Sequence, residues 1–375
     1  MTTRPFVFGI AASGENFTDR ENETMRLLKN FKYGVNTILI SPRRWGKTSL
    51  VKKAISLANE DEKLKVVYLD IFSCRNAEEF YNAFASAIIR QTSTRWEEIV
   101  ENVKSFLSKI SPRVSFGPDP MTDFSVSLDF TDGDRSIEEI LNLPERIARE
   151  KDIRIVVCID EFQQIGEFDN SLTFQKRLRA VWQLQESTSY CLFGSKRHLM
   201  NEIFESRSHP FYKFGDAMYL TKIPTEYWEK YITGRFKATG KAISASLARK
   251  ICETVDNHSS YVQQLSWLTW IHTDETATEE SFQEALNDLI AQNSALFINQ
   301  TENLSAYQLN FLKALAQGVN TGLSSKEVMD QYQLGSSANV AIVKKSLSQK
   351  ELIDTEGRKT FLADPVMGIW LQLNL

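Results

Sequence analysis

The 375-residue chain predicts an α/β protein: a parallel sheet with helices on both faces, followed by a helical domain and a small C-terminal domain of three helices and a hairpin. Three observations carry this. Short apolar, β-branched runs, "TILIS" at 37–41, "KVVYLDI" at 65–71, "IRIVVCID" at 153–160, "YCLFGS" at 190–195 and "AMYLTKI" at 217–223, alternate with helical patterns. Continuous rather than alternating apolar strands are what a sheet buried on both faces requires. From Thr225 to about Gln300 the strands cease, and helical segments follow one another across Gly, Asn and Asp breaks. After that come "SAYQLNFLKALAQG", "SSKEVMDQY" and "SANVAIVKKSLSQKE", then "LIDTEGRKTFLAD" with a Glu-Gly turn, the outline of a winged helix.

The boundaries that follow are 1–223 for the α/β core, 224–300 for the helical domain and 301–375 for the winged helix. Within the core, alternation bounded by Gly, Pro and Asp predicts a hairpin insertion near 112–132. In the helical domain, Tyr261, Leu265, Leu268 and Ile271 recur at helical spacing and predict a core-facing stripe.

Composition narrows the class of protein without naming a partner. The net charge of −4 gives no global attraction to nucleic acid. Cys74, Cys158, Cys191 and Cys252 are far apart in the chain and lie in or beside apolar runs, which predicts reduced core thiols rather than a disulfide framework or paired metal ligands. The start lacks the basic head and apolar stretch of a secretory signal, and nowhere is there the run of roughly 18 apolar residues that a membrane helix needs. A cytoplasmic protein without a membrane partner is expected.

The chemistry starts at "SPRRWGKTS", residues 41–49, which follows a strand and opens the amphipathic helix "TSLVKKAISLANE". Strand, loop and helix is the setting of a phosphate-binding loop, although Ser41 stands where the usual pattern begins with glycine. Amides of Trp45, Gly46, Lys47 and Thr48 at a helix N-terminus favour phosphate oxygens, and Gly46 permits close approach. Lys47 is placed to neutralise β- and γ-phosphate charge, and the Thr48 hydroxyl to take one position on Mg²⁺. Ser41, Pro42, Arg43, Arg44 and Ser49 complete the candidate nucleotide-binding stretch; phosphate, a neighbouring subunit and solvent all remain open for the two arginines.

A little over a hundred residues later, "RIVVCIDEFQQI" ends an apolar strand in Asp160 and Glu161. Asp160 suits a magnesium ligand acting through water, and Glu161 a base that polarises water toward the γ-phosphate. Ser195, at the end of the next strand, has two readings of equal weight: a sensor of the γ-phosphate or attacking water, or an N-cap for the helix "KRHLMNEIF".

With these motifs in view, the chain resembles, nearly end to end, the archaeal-type ATPases of the STAND branch of AAA+-like P-loop proteins. "RPFVFG" with "FTDRENE" is similar to their N-terminal signature, "SPRRWGKTSLV" to their phosphate loop and "FGSKRHLMNEIFESRSHPFYKFGDAMYLTKIP" to the segment spanning the last two core strands. The resemblance implies nucleotide contacts by Phe17, Arg20 and, from the lid segment "DNHSSYVQQLSWLTW", His258. Relatives often carry an arginine after the Pro-aromatic-Tyr run; here Phe214 holds that position, which leaves Arg207 as the candidate arginine finger. "FLADPVMGIW" is similar to the ending of the family's winged helix, and no nuclease-like domain is expected after it.

The expectation is a Mg²⁺-dependent ATPase that binds ATP and ADP and acts as a conformational switch, with a protein partner or a second copy of the chain as the other ligand. The alternative is a DNA- or protein-binding adaptor that holds nucleotide for structure. Within 301–375 the seven Lys and Arg are matched by seven Asp and Glu, which weighs against strong DNA affinity, although Lys344, Lys345 and Lys350 fall on one helix and Arg358 and Lys359 at the wing.

Overall fold

The computed structural model describes residues 4–93, 98, 99, 101, 102, 105, 113–116, 124–127 and 134–374. It divides into two compact units, one of Arg20–Arg43 with Lys47–Thr221, the other of Met1–Asp19, Arg44–Gly46 and Lys222–Leu375.

The first unit contains α1 (Glu21–Tyr33), β1 (Thr37–Ile40), α2 (Lys47–Ala58), β2 (Leu64–Asp70), α3 (Ala77–Thr92), β3 (Arg113–Phe116), β4 (Phe124–Ser127), α4 (Asp134–Leu141), α5 (Leu143–Glu150), β5 (Arg154–Asp160), α6 (Ser171–Trp182), β6 (Thr188–Gly194), α7 (Arg197–Glu205) and β7 (Asp216–Tyr219). Five strands pair in parallel in the order β2-β5-β6-β1-β7, flanked by helices. The sequence predicts this because β1 and β6 are buried at every residue, leaving no polar face for water. The hairpin forms from β3 and β4, antiparallel, with Val114 opposite Val126; the remainder of 112–132 lies outside the described residues.

The core of this unit is rich in aromatic rings. Trp182 stacks on Tyr190 with centroids 4.0 Å apart, and Phe211 meets Phe162 and Phe214 edge-on at 5.4 and 5.1 Å. Phe214 is therefore a packing residue. The four cysteines are buried and unbridged, and Cys158 and Cys191, distant in the chain, are register partners on β5 and β6.

The second unit holds α8 (Thr225–Ala238), α9 (Ala245–Thr254), α10 (Ser259–Ile271), α11 (Glu279–Glu302), α12 (Ala306–Ala316), α13 (Lys326–Gln331), α14 (Ser337–Gln349), β8 (Ile353–Glu356), β9 (Lys359–Leu362) and α15 (Pro365–Asn374). Ser305 and Gln308 form a capping box that starts α12, and Gly357, at φ 58°, makes the turn between β8 and β9. One hydrophobic core runs through Trp228, Tyr261, Phe282, Phe297, Phe311 and Trp370, and the N-terminal Phe6 joins it. Tyr261, Leu265 and Leu268 are buried as their spacing predicts, whereas Ile271 is 49% exposed. It is the last residue of α10. No helix among the described residues is long and apolar enough to cross a membrane.

Candidate functional site

The loop leaving β1 turns into α2 through Gly46, whose φ of 88° is a left-handed conformation that residues with a Cβ rarely adopt. Nothing lies within 4 Å of where a Cβ would sit, so backbone conformation rather than crowding demands glycine there. Ser41, 1% exposed, bonds the Pro42 carbonyl and closes the strand end. Lys47, the first residue of α2, is 7% exposed.

Parallel register assembles the rest. Asp160, the last residue of β5, pairs with Asp70 of β2, and Ile40 of β1 pairs with Gly194 of β6, so Ser41, Asp160 and Ser195 meet at the carboxyl edge of the sheet. In open parallel sheets that edge is where ligands bind. Lys47 Nζ stands 3.6 Å from Asp160 Oδ1 and 3.9 Å from Glu161 Oε1, one cation serving two carboxylates. The Thr48 hydroxyl donates to Asp160 Oδ2 at 3.2 Å. A hydroxyl and a carboxylate side by side form the donor set that a hard divalent cation with several waters takes, so these residues fit Mg²⁺.

Glu161 lies at φ 54° and ψ 38°, a left-handed turn between β5 and the 3₁₀ segment Phe162–Glu167. Its Oε2 accepts from the Ser195 hydroxyl at 3.0 Å and from Gln163 Nε2 at 2.5 Å. Burial pushes this carboxyl up, but Lys47, the Gln163 and Ser195 bonds and Arg43 outweigh it and hold Glu161 below the usual carboxylate range. It is ionised at neutral pH, as a proton acceptor must be. Ser195 thus serves the carboxylate: Lys196 occupies the N-cap of α7, and the Arg43 guanidinium donates to Ser195 Oγ at 3.3 Å.

Two members of this cluster carry no signal in the sequence. Tyr68 of β2 pairs with Cys158, two residues before Asp160, so the tyrosine and the carboxylate share a face; its hydroxyl donates to Asp160 Oδ2 at 2.9 Å. Burial and the neighbouring Asp160 push its phenol far up. Gln163 is the other. Each looks in the sequence like an ordinary polar residue beside an apolar run; pairing across the sheet reveals Tyr68, and the left-handed turn at Glu161 with the 3₁₀ segment after it reveals Gln163.

Arg20, 3% exposed, bonds Glu23 at 2.8 Å and the Thr221 carbonyl at 2.6 Å. Arg207 is exposed on the turn after α7, and Ser49 is buried in the first turn of α2. In the second unit, Phe17 is half-buried at the end of a short 3₁₀ turn, and Trp45 lies with Lys222 Nζ 5.8 Å from its ring centre. His258, 6% exposed, packs on Tyr261 with ring centres 4.8 Å apart and makes no capping bond although it is the N-cap of α10. The Tyr261 hydroxyl donates to Asp364 Oδ2 at 2.5 Å, Asp364 Oδ1 accepts the Val366 and Met367 amides, and Arg44 bonds Tyr261. Burial raises the Asp364 carboxyl above its usual range against the pull of these partners.

A family model for the ATPase domain predominantly from Archaea matches residues 17–212, and one for a probable winged helix domain matches residues 295–373. Among solved structures, the Walker-type ATPase of Pyrococcus abyssi superposes with a TM-score of 0.68 at 16% identity, covering 96% of this chain and 97% of that one. The ORC2 protein of Aeropyrum pernix, in ADPNP and ADP complexes, superposes with a TM-score of 0.56, also at 16% identity and with the same coverage. No curated protein sequence matches the chain. At such identities the structural likeness speaks to fold alone.

Proposed function

Because the chain belongs to the family of ATPase domains found predominantly in Archaea, and is a nucleotide-binding P-loop ATPase with a C-terminal winged helix, we propose that it is a magnesium-dependent switch of the STAND branch. The observation that carries this reading is the convergence of Lys47, Thr48, Asp160 and Glu161 at one sheet edge. In this reading, the amides opening α2 and the Lys47 ammonium bind the β- and γ-phosphates. Thr48 and Asp160 would hold Mg²⁺, which would supply neutralisation of phosphate charge. Glu161 accepts the proton of the attacking water, while Ser195, itself bonded by Arg43, holds its carboxylate.

Phe17, Arg20 and His258 are proposed nucleotide contacts, and Arg207, exposed, is free to act as a finger toward a second copy of the chain or a partner. The domains are taken as 1–223, 224–300 and 301–375. The switch reading draws support from Arg44, which adjoins Arg43 in the chain and bonds Tyr261 beside Asp364, so that rearrangement of the loop backbone reaches a residue heading α15. DNA or protein contact is assigned to the winged helix.

Two substitutions test the assignment. Lys47→Ala lowers ATP affinity about tenfold or more, whereas Glu161→Gln leaves binding intact and cuts phosphate release by about a hundredfold or more, the usual contribution of a general base. A Glu161→Gln protein that releases phosphate at the unmodified rate has the wrong base assigned; an unmodified chain that binds ATP yet never hydrolyses it with magnesium is the structural adaptor.

A further inference from the structure

We propose that Gln163 is the positioning residue that fixes the Glu161 carboxylate in its working orientation; this rests on the reading of Glu161 as the base. Gln163 is 2% exposed and sits two residues beyond Glu161 in the 3₁₀ segment. Its Nε2 donates to Glu161 Oε2. At its other end, Oε1 is buried and accepts no hydrogen bond among the described residues. Fully buried amides normally satisfy both ends, and an unmet buried acceptor is costly. The side chain tolerates that cost while directing its donor at one carboxylate oxygen, an arrangement that a core-filling residue gains nothing from.

The surroundings are shaped for that amide. A Cβ on Gly194 would lie 1.7 Å from Gln163 Oε1 and 2.9 Å from Cδ, so the last residue of β6 is one whose lack of a side chain leaves the slot open. What the amide opposes is also in view. Lys47 Nζ is 3.9 Å from the other carboxylate oxygen, Glu161 Oε1, too far for a hydrogen bond and near enough to attract. A carboxylate that closed on this lysine would lose its freedom to take a proton and would draw Lys47 from the phosphates. Gln163 and Ser195 both grip Oε2, and between them they hold the carboxylate off the lysine.

Gln163→Met tests this, since methionine matches the length and shape of glutamine and cannot donate. The expected result is a kcat for phosphate release lower by about tenfold, with KM for ATP and the calorimetric Kd for ADP each within twofold of the unmodified chain. In the Glu161→Gln background the same substitution slows release no further, because its effect passes through Glu161. A crystal structure of Gln163→Met shows the Glu161 carboxylate closer to Lys47 than 3.9 Å. Unchanged kcat, a full additional loss on top of Glu161→Gln, or an unmoved carboxylate overturns the proposal. Should the methionine variant not fold, Gln163→Glu keeps the shape, sets a second carboxylate against Glu161, and must lower kcat at unchanged ADP affinity. Full activity of Glu161→Gln alone sinks the base assignment, whereas full activity of Gln163→Met with an inactive Glu161→Gln sinks only the positioning role.

Discussion

At the scale of single residues, two residues of the proposed site hold strained backbone. Glu161 holds a left-handed φ of 54°, which costs a residue with a Cβ about 1 kcal/mol or more, and Arg44 in the phosphate loop does the same at 64°. Such conformations persist when surrounding bonds over-determine them, and Glu161 has Ser195, Gln163 and the Lys47 charge to do so. Gly194 is the least conspicuous member of this set. Gly194→Ala pushes the added methyl into the Gln163 amide and toward Met200 Sδ, 3.0 Å away, at an overpacking cost of about 1–3 kcal/mol. We expect the variant to fold with a lowered melting temperature and to release phosphate about tenfold more slowly, less than the roughly hundredfold that a full ~1 Å displacement of catalytic geometry can cost; normal turnover in a phosphate-release assay would show that Gln163 can move without consequence. Lys47, Thr48, Asp160 and Glu161 were legible in the sequence because loop and strand end are each continuous in the chain. Tyr68 and the partnership of Arg43 with Ser195 were not, because their meaning arises from which strands become neighbours, 152 residues apart in the last case; nor was Gln163, whose bond to Glu161, only two residues away, follows from the left-handed turn between β5 and the 3₁₀ segment.

At the scale of elements, burial on both faces made the strands legible, while the ends of helices were harder to place. Four of the five strands of the parallel sheet match their apolar runs to within two residues at each end and β7 stops four residues short of its run, yet α11 carries the chain without a break from Glu279 through Glu302, past the point near Gln300 where the helical pattern ends. Ile271 keeps the spacing of a buried stripe but, as the last residue of α10, is exposed. The attachment of α1 to the sheet gives a measurable case. Asp216, opening β7, accepts from Arg26 Nε at 2.8 Å and Asn30 Nδ2 at 2.8 Å. Burial raises this carboxyl, and the Arg26 and Asn30 bonds with the Arg26 charge more than reverse that, leaving it below its usual range. A depressed folded-state pKa stabilises above the unfolded value of about 3.9, and the contribution is lost as pH falls through the folded value. With Arg26 half exposed, about 0.5–1 kcal/mol is the appropriate size. Asp216→Asn should therefore lower the melting temperature by roughly 2 °C at pH 7, and the difference should shrink as pH falls below about 3.9 and through the lower folded value; a gap that does not shrink in acid would assign the effect to packing instead.

At the scale of the whole molecule, the open question is what the winged helix presents to a partner. The sequence placed Lys344 and Lys345 together on its third helix, but on α14 only Lys345 is exposed; Lys344 is half-buried. Beside Lys345 the outward face carries Ala338, Ala341 and Ile342, the last 67% exposed, and Lys350, Arg358 and Lys359 are also exposed, the latter two at the wing turn. A surface that is part apolar and thinly basic suits protein contact at least as well as a phosphate backbone, and the seven-to-seven charge balance of the domain offers no long-range attraction to offset the deficit. Each phosphate neutralised adds about 0.9 to the slope of log affinity against log salt, so the four exposed cations of α14, its C-cap and the wing bound a duplex contact through them to a slope of about −3.6. We expect duplex binding by the full chain to be weak at physiological salt, and Lys345→Glu with Arg358→Glu to flatten the slope by about 1.8 where that binding uses the winged helix. An unchanged affinity and slope in the double variant would remove this face from DNA contact. Ile342→Glu separates the remaining possibility: it should abolish capture of a protein partner or a second copy of the chain through this helix, because a carboxylate replaces the one large apolar group at the centre of the exposed face.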